Sequence, residues 1–508
     1  MRALILLLLA GCASAFGFAP FDLWPCTFIA LVLLIAQVVG APRARDALWR
    51  GWAFGVGHFL VGDNWVATAF TYQGNMPAWL GWVAVLLMAL YLAVYPALAA
   101  VLAWIFARRQ PLKFAFVFAV TWMLGEWLRS WVFTGFAWDP VGAVWLSLPW
   151  VSQTASMVGA MGLSALFVLP AGLFWWGLQR SRRAALTAAV TLTLAATLGQ
   201  WHVRAPPPPA SGAIPIRIVQ ANIGQDEKYD AALGEKNAKI YAELSGRPTA
   251  SQRLLLWPEG ATLRFPELEP SVRTDFAALL GPHDLLLTGA DSATLDMHGH
   301  DDVYRNSVFA LDSSATLQWR YDKAHLVPFG EYLPARHWLE RIGLARLVPS
   351  QGDFTAGTRP LSLPLPGFTL HGAPVMVGVQ ICYEITFPGH VIDAAHRPAF
   401  VFNPSNDAWF GSWGPPQHVA QARLRAIEEG LAVIRSTPNG ISAIIDPEGR
   451  LIAVLGIHRQ GVIDGFVPEP KSPTVYSHWG AWASALLGLL LLGLGAGASR
   501  AFGETESK

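Results

Sequence analysis

Hydropathy divides this chain into unlike parts. Before about residue 205, long apolar runs alternate with short basic loops. From 213 to 473 the chain is rich in Asp, Glu, Arg and Pro, and a last apolar run covers 479–498. A helix that crosses a bilayer needs about 20 mostly apolar residues. Candidate spans fall at 3–17, 21–40, 51–71, 78–107, 113–134, 157–179 and 184–202, and the C-terminal run makes eight. The reading is a multi-pass α-helical membrane bundle over 1–204, a water-exposed domain over 213–473, and a final spanning helix at 479–498. The Pro-rich stretch 206–209 links the first two. Only 14% of residues are charged, which fits a chain that largely avoids water. The 23 tryptophans suit membrane interfaces, where one end of the ring stays wet. A net charge of +1 argues against a nucleic-acid partner.

Orientation follows from where Lys and Arg fall. Arg43, Arg45 and Arg50, then Arg108, Arg109 and Lys113, then Arg180, Arg182 and Arg183 occupy every second loop. Arg2 precedes the first helix. This pattern puts the N-terminus in the cytoplasm, the large domain on the outer face and the C-terminal tail inside. In a bacterium the outer face is the periplasm, an oxidising compartment. Leu9-Ala10-Gly11-Cys12 has the form of a lipoprotein signal box. A second apolar segment follows almost at once, however, and the charge pattern requires the first helix to stay.

The outer domain alternates short apolar runs with polar, helix-like stretches. Strands are predicted at 216–221, 253–257, 284–289, 307–311, 375–381, 399–403, 431–436 and 441–445, and helices over 230–246 and 416–430. Strands alternating with helices indicate an α/β layered domain, whose reactive residues sit where strands end. Three segments fit that placement. Leu254-Leu255-Leu256-Trp257-Pro258-Glu259-Gly260 is a buried strand that delivers Glu259 into a turn. Lys323 is a charged residue followed by an apolar stretch from Leu326 to Phe329. Cys382 ends an apolar run and is the only cysteine of the polar domain, since Cys12 and Cys26 lie in apolar segments. Each has a bland reading: a surface carboxylate, a solvated lysine with a buried stem, a buried structural cysteine. Lys323 lies 64 residues after Glu259, and Cys382 59 residues after Lys323. Their order and strand-end placement together are specific.

In the contexts Trp-Pro-Glu, Asp-Lys followed by Val-Pro-Phe-Gly-Glu, and Cys-Tyr-Glu, these residues resemble the Glu-Lys-Cys triad of the nitrilase superfamily. Within it the chain resembles the apolipoprotein N-acyltransferases over nearly its whole length. The resemblance extends to the strings 403–411, Pro416-Gln417-His418, 435–441 and Gly125-Glu126-Trp127-Leu128-Arg129. One departure is Tyr229, about thirty residues before the Glu, where that family usually has Trp.

The resemblance implies a nitrilase-like αββα sandwich and a bacterial inner-membrane enzyme without metal or dissociable cofactor. Cys382 would be the nucleophile, Glu259 the general base, and Lys323 the cation that favours the thiolate and the tetrahedral oxyanion, with a backbone N–H near Tyr383. Glu331, Tyr383 and Glu384 would support them, with Glu331 or Glu384 orienting Lys323. The acyl donor would be a membrane phospholipid and the acceptor a diacylated apolipoprotein, with the enzyme a monomer. Tyr229, Trp409, Phe410 and Trp413 are candidates for substrate contact or a lid, with core packing as the competing role for the last three. The stretch 338–348 reads either as a lid on the membrane or as an ordinary packing helix. Glu126 and Arg129, three residues apart, could pair inside the apolar bundle. The rival enzyme is a membrane-tethered nitrilase-type amidohydrolase, for which eight spans would be excessive. A transporter or receptor would leave the triad without a purpose.

Overall fold

The structure is a computed structural model, and it describes residues 1–72, 77–181, 212–294, 303–339, 341 and 353–502. The candidate span 184–202, the linker 206–209 and most of the 338–348 stretch lie outside the described residues.

Helices Arg2–Ser14, Trp24–Val39, Ala44–Gly62, Leu80–Leu92, Val94–Ala107, Pro111–Arg129 and Ala155–Arg180 build the N-terminal part, and Ala481–Ala501 packs back onto it. Among the described residues four stretches are long and apolar enough to cross a membrane: Leu80–Ala107, Pro111–Arg129, Ala155–Arg180 and Ala481–Ala501. Arg2–Gly17 and Trp24–Val39 are apolar but shorter. The described residues therefore do not reach the expected count of eight. The physical reasons are local. The helix that covers the start of the third candidate, 51–71, is Ala44–Gly62: it opens with Arg45, Asp46 and Arg50 and stops at Gly62, with Asp63 closing it. The fifth still counts as a span, although its helix stops at Arg129, before Phe133, Thr134 and Gly135, which all have positive φ and cannot continue a right-handed helix. Small residues bring the first and third helices together. A Cβ on Gly11 would collide with the Phe54 carbonyl, and one on Gly57 with the Leu8 carbonyl.

The domain after residue 213 is two six-stranded sheets. One runs in the order β12-β1-β2-β3-β4-β5: Gly461–Phe466, Pro215–Gln220, Leu254–Leu256, Leu285–Thr294, Val303–Asp312 and Leu317–Asp322. The other runs β11-β10-β9-β8-β7-β6: Leu451–Leu455, Ser442–Ile445, Ala432–Ser436, Phe400–Pro404, Ala373–Val379 and Ser362–Leu370. In each sheet the three central strands β1-β2-β3 or β7-β8-β9 pair in parallel and the flanking strands antiparallel.

Period-two alternation decides what each strand buries. Leu254 and Leu256 face the second sheet, in one core with Leu285, Leu287, Val377, Val379, Phe400, Phe402 and Ile434. Leu255 and Leu286 face the other way and are covered by Tyr241, Val272 and Phe276 from helices Gly234–Ser245 and Pro270–Ala277. Full burial of each such side chain contributes about 1.5–3 kcal/mol. On the second sheet, Ala422 and Ala426 of helix Gly414–Glu429 cover Val401, Val433 and Ala443. The result is a four-layer α/β sandwich.

Helix Gly414–Glu429 has a second buried face. Ala420, Leu424 and Ile427 belong to the core of the N-terminal helices. Gln421 donates to Asp139 at 2.8 Å, and the Ala160 N–H donates to Glu428 at 2.6 Å. One helix thus serves both the sheet and the apolar bundle.

Candidate active site

Each triad residue stands just beyond the end of a strand. Glu259 lies three residues after β2, in a turn held by β3: the Gly289 N–H donates to the Pro258 carbonyl at 3.1 Å and the Ala261 N–H to the Gly289 carbonyl at 2.9 Å. Lys323 follows β5 directly, and its N–H donates to the Asn306 carbonyl of β4 at 2.9 Å. Cys382 lies three residues after β7 and opens a short 3-10 turn with φ of 50°. The β1-containing sheet supplies the carboxylate and the cation, and the facing sheet supplies the thiol.

The cation is 1% exposed. Lys323 Nζ donates to Glu331 Oε1 at 2.9 Å and lies 3.6 Å from Glu259 Oε1. Asn306 Nδ2 donates to both carboxylates, at 2.7 Å to Glu259 and 2.8 Å to Glu331. Glu331 Oε2 accepts the Val327 N–H at 2.8 Å, which fixes that carboxylate to its own loop. Burial pulls Lys323 toward its neutral form, but Glu331 and Glu259 outweigh it and hold the ammonium charged well above its ordinary range. Two carboxylates around one buried cation leave the pocket negative.

The consequence falls on Cys382. Burial, then the charge of Glu259, pushes its thiol well above the usual range, against the opposing pull of Lys323. The resting group is a protonated thiol, so attack requires a base in reach. Among the described residues, Glu259 Oε2 has no hydrogen-bond partner, although it is buried. That oxygen is the acceptor such a base needs.

Glu331, not Glu384, holds the lysine. Glu384 accepts from the Tyr321 hydroxyl at 3.0 Å and from the N–H groups of Ala324, His325 and Ile381 at 2.7, 3.1 and 2.7 Å. It ties the loop after β5 to the turn that carries Cys382. A glutamine there turns an amide group toward donors. Glu384→Gln should therefore lower stability by about 3 kcal/mol, from buried N–H groups left unmatched. Thermal unfolding of the purified variant against the wild type measures it.

The remaining predicted residues are spread. The Tyr383 hydroxyl donates to the Gly135 carbonyl at 3.1 Å, linking the neighbour of Cys382 to the helical bundle. Tyr229 is 42% exposed, with the Lys228 ammonium 5.5 Å from its ring centre. A Cβ on Gly260 would collide with Lys228 Nζ, so that lysine lies against the Glu259 turn. Trp409 meets Tyr72 edge-on at 5.5 Å. Phe410 packs on Trp65 and Trp138, and Trp413 on Phe16 and Phe21, at the junction with the bundle. Glu126 and Arg129 do not pair: Glu126 accepts from Trp122 and the Val141 N–H, while Arg129 donates to the Trp138 carbonyl.

Sequence reasoning missed Asn306, the residue that clamps both carboxylates. Its only signal was a polar side chain opening an apolar strand. The buried Asp407, His418 and Arg435 cluster beneath Cys382 was visible only as strings of the family resemblance, with no role attached.

Comparison with known proteins bears on the chain as a whole. The family model described as the N-terminal domain of apolipoprotein N-acyltransferase matches residues 10–173, and that of the carbon-nitrogen hydrolases matches 216–468. An apolipoprotein N-acyltransferase of Rhodopseudomonas palustris is 35% identical over 96% of this chain and 94% of its own length. One of Caulobacter vibrioides is 37% identical over 96% of this chain and 92% of its own. A carbon-nitrogen hydrolase of Helicobacter pylori with a crystal structure aligns with 50% of this chain and 88% of its own, at 13% identity and a TM-score of 0.34. With relatives this similar end to end, the chain belongs to the apolipoprotein N-acyltransferase family.

Proposed function

We propose that this enzyme moves an acyl chain from the sn-1 position of a membrane glycerophospholipid to the α-amino group of an apolipoprotein's diacylglyceryl-cysteine. The observation that carries the reading is the buried Lys323 held between two carboxylates beside a protonated Cys382. In the first half-reaction Glu259 takes the thiol proton and the sulfur attacks the ester carbonyl. Lys323 and the Tyr383 N–H stabilise the oxyanion. The tetrahedral adduct collapses to a thioester, and Glu259 returns the proton to the departing lysophospholipid hydroxyl. In the second, the amine attacks the thioester and Glu259 takes its proton. The thiolate then leaves and recovers a proton from Glu259, so the enzyme ends as it began.

Both substrates carry acyl chains, and drawing those into water costs about 0.8 kcal/mol per CH₂. The enzyme therefore works at the bilayer. We read 1–204 and 479–498 as eight spans with a cytoplasmic N-terminus in a bacterial inner membrane. The catalytic domain, 213–473, would face the periplasm, and the enzyme would act as a monomer. Basic residues in alternate loops support that orientation. Trp409, Phe410 and Trp413 would form an apolar wall for the acyl chain, with Tyr229 at the entrance.

In mixed micelles of phospholipid and a synthetic diacylated lipopeptide, the purified enzyme should yield triacylated peptide and lysophospholipid in equal amounts. A peptide with an acetylated N-terminus should yield none. Ammonia release from small amides without acyl transfer would favour the amidohydrolase and overturn the proposal.

A further inference from the structure

The backbone of Cys382 is unusual. Its φ of 50° is left-handed, a region that costs a non-glycine residue and persists only where the surroundings enforce it. What enforces it lies beneath. His418 Nε2 donates to the Cys382 carbonyl at 3.0 Å, with Asn403 Nδ2 at 3.5 Å from the same oxygen. A carbonyl oxygen only accepts, so Nε2 carries the hydrogen. His418 has no exposed surface. Its Nδ1 lies 3.0 Å from both Asp407 Oδ1 and Arg435 Nη2, and the Trp138 ring packs on it with centroids 5.3 Å apart. Arg435 also donates to Ser405 at 2.8 Å, so the imidazole is fixed on every side.

Peptide geometry turns this anchor into a statement about chemistry. A trans peptide is planar, and its C=O and N–H point in opposite directions. Holding the Cys382 carbonyl down toward His418 therefore turns the Tyr383 N–H the opposite way, toward the side from which substrate meets the sulfur. We propose that His418 is a positioning residue. It fixes the 382–383 peptide so that the Tyr383 N–H is aimed at the oxyanion. Released from His418, that peptide can rotate and withdraw its donor while the thiol stays in place. The inference rests on Cys382 being the nucleophile.

The test compares His418→Leu with His418→Gln in the full-length enzyme. Glutamine keeps an N–H donor near the position of Nε2; leucine removes it. Two reactions of Cys382 are followed: acylation by phospholipid, which builds an oxyanion, and alkylation by iodoacetamide, which does not. For the leucine variant we expect acylation to slow by about 10²-fold, the usual loss for one oxyanion donor. Its KM should be unchanged and its alkylation close to wild type. The glutamine variant should acylate close to wild type. Equal acylation by the leucine variant, or parallel loss of both reactions, overturns the role. If the leucine variant fails to fold, a folded glutamine variant that acylates about 10²-fold slower overturns it equally. A wild type that alkylates but never acylates would instead overturn the nucleophile assignment itself.

Discussion

Glu259→Gln should leave a folded enzyme that forms thioester about 10³-fold more slowly, within the range for losing a general base. The geometry explains both halves of that expectation. The amide oxygen can still accept from Asn306, so the clamp on Glu331 and Lys323 survives. The free Oε2, which would take the thiol proton, becomes a donor. Burial and Glu259 together hold the thiol protonated, and the variant loses only the second cause. Residual activity must then come from the small thiolate population. It should rise about tenfold per pH unit, because each unit above neutrality multiplies the thiolate of a high-pKa thiol by ten. Wild-type acylation should lack that slope around neutrality. Single-turnover rates between pH 6 and 9 measure both; a flat profile in the variant would contradict the assignment.

Lys323→Met should have the second largest effect, and it differs in kind. Acylation should fall by about 10²–10³-fold through loss of one oxyanion-stabilising group. Stability should fall too, by about 3–5 kcal/mol, because Glu259 and Glu331 are left as buried carboxylates without their cation. A double variant that also carries Glu331→Gln removes one stranded charge and should regain stability without regaining rate. Thermal unfolding alongside acylation kinetics separates the two effects.

How far the residues alone revealed this arrangement depended on burial. All eight predicted strands correspond to observed ones, because each is apolar enough to stand out from its flanks. The four that were missed, β5, β6, β11 and β12, are the edge strands of the two sheets. An edge strand is half exposed, so it mixes polar residues with apolar ones. Thus β5 reads Leu-Gln-Trp-Arg-Tyr-Asp, and β6 carries two prolines and a glycine, which suit an edge. Of the eight candidate spans, four appear among the described residues as helices long and apolar enough to cross a membrane, and 184–202 lies outside the described residues. Apolar composition marks a segment that avoids water but does not show where it bends. The helix over the third candidate ends at Gly62, and the one over the fifth ends at Arg129, ahead of the positive-φ residues Phe133 to Gly135.

The site shows the same division. Glu259, Lys323 and Cys382 were legible because strand ends and short neighbouring strings marked them. Which carboxylate holds the lysine was not, since Glu331 and Glu384 are equally acidic in sequence. Only the fold sends Glu384 to three backbone N–H groups and Glu331 to the ammonium. Asn306 and His418 act across sheets and helices distant in the chain, so no local pattern could have announced them.

The central claim is that Cys382 carries the acyl group covalently. Its most direct test is the intact mass of the full-length enzyme after incubation with one defined phospholipid and no acceptor. A gain of one acyl group in place of a proton is expected. That gain should be absent from Cys382→Ala and discharged when diacylated peptide is added. No gain in the wild type, or a gain that survives Cys382→Ala, would contradict it.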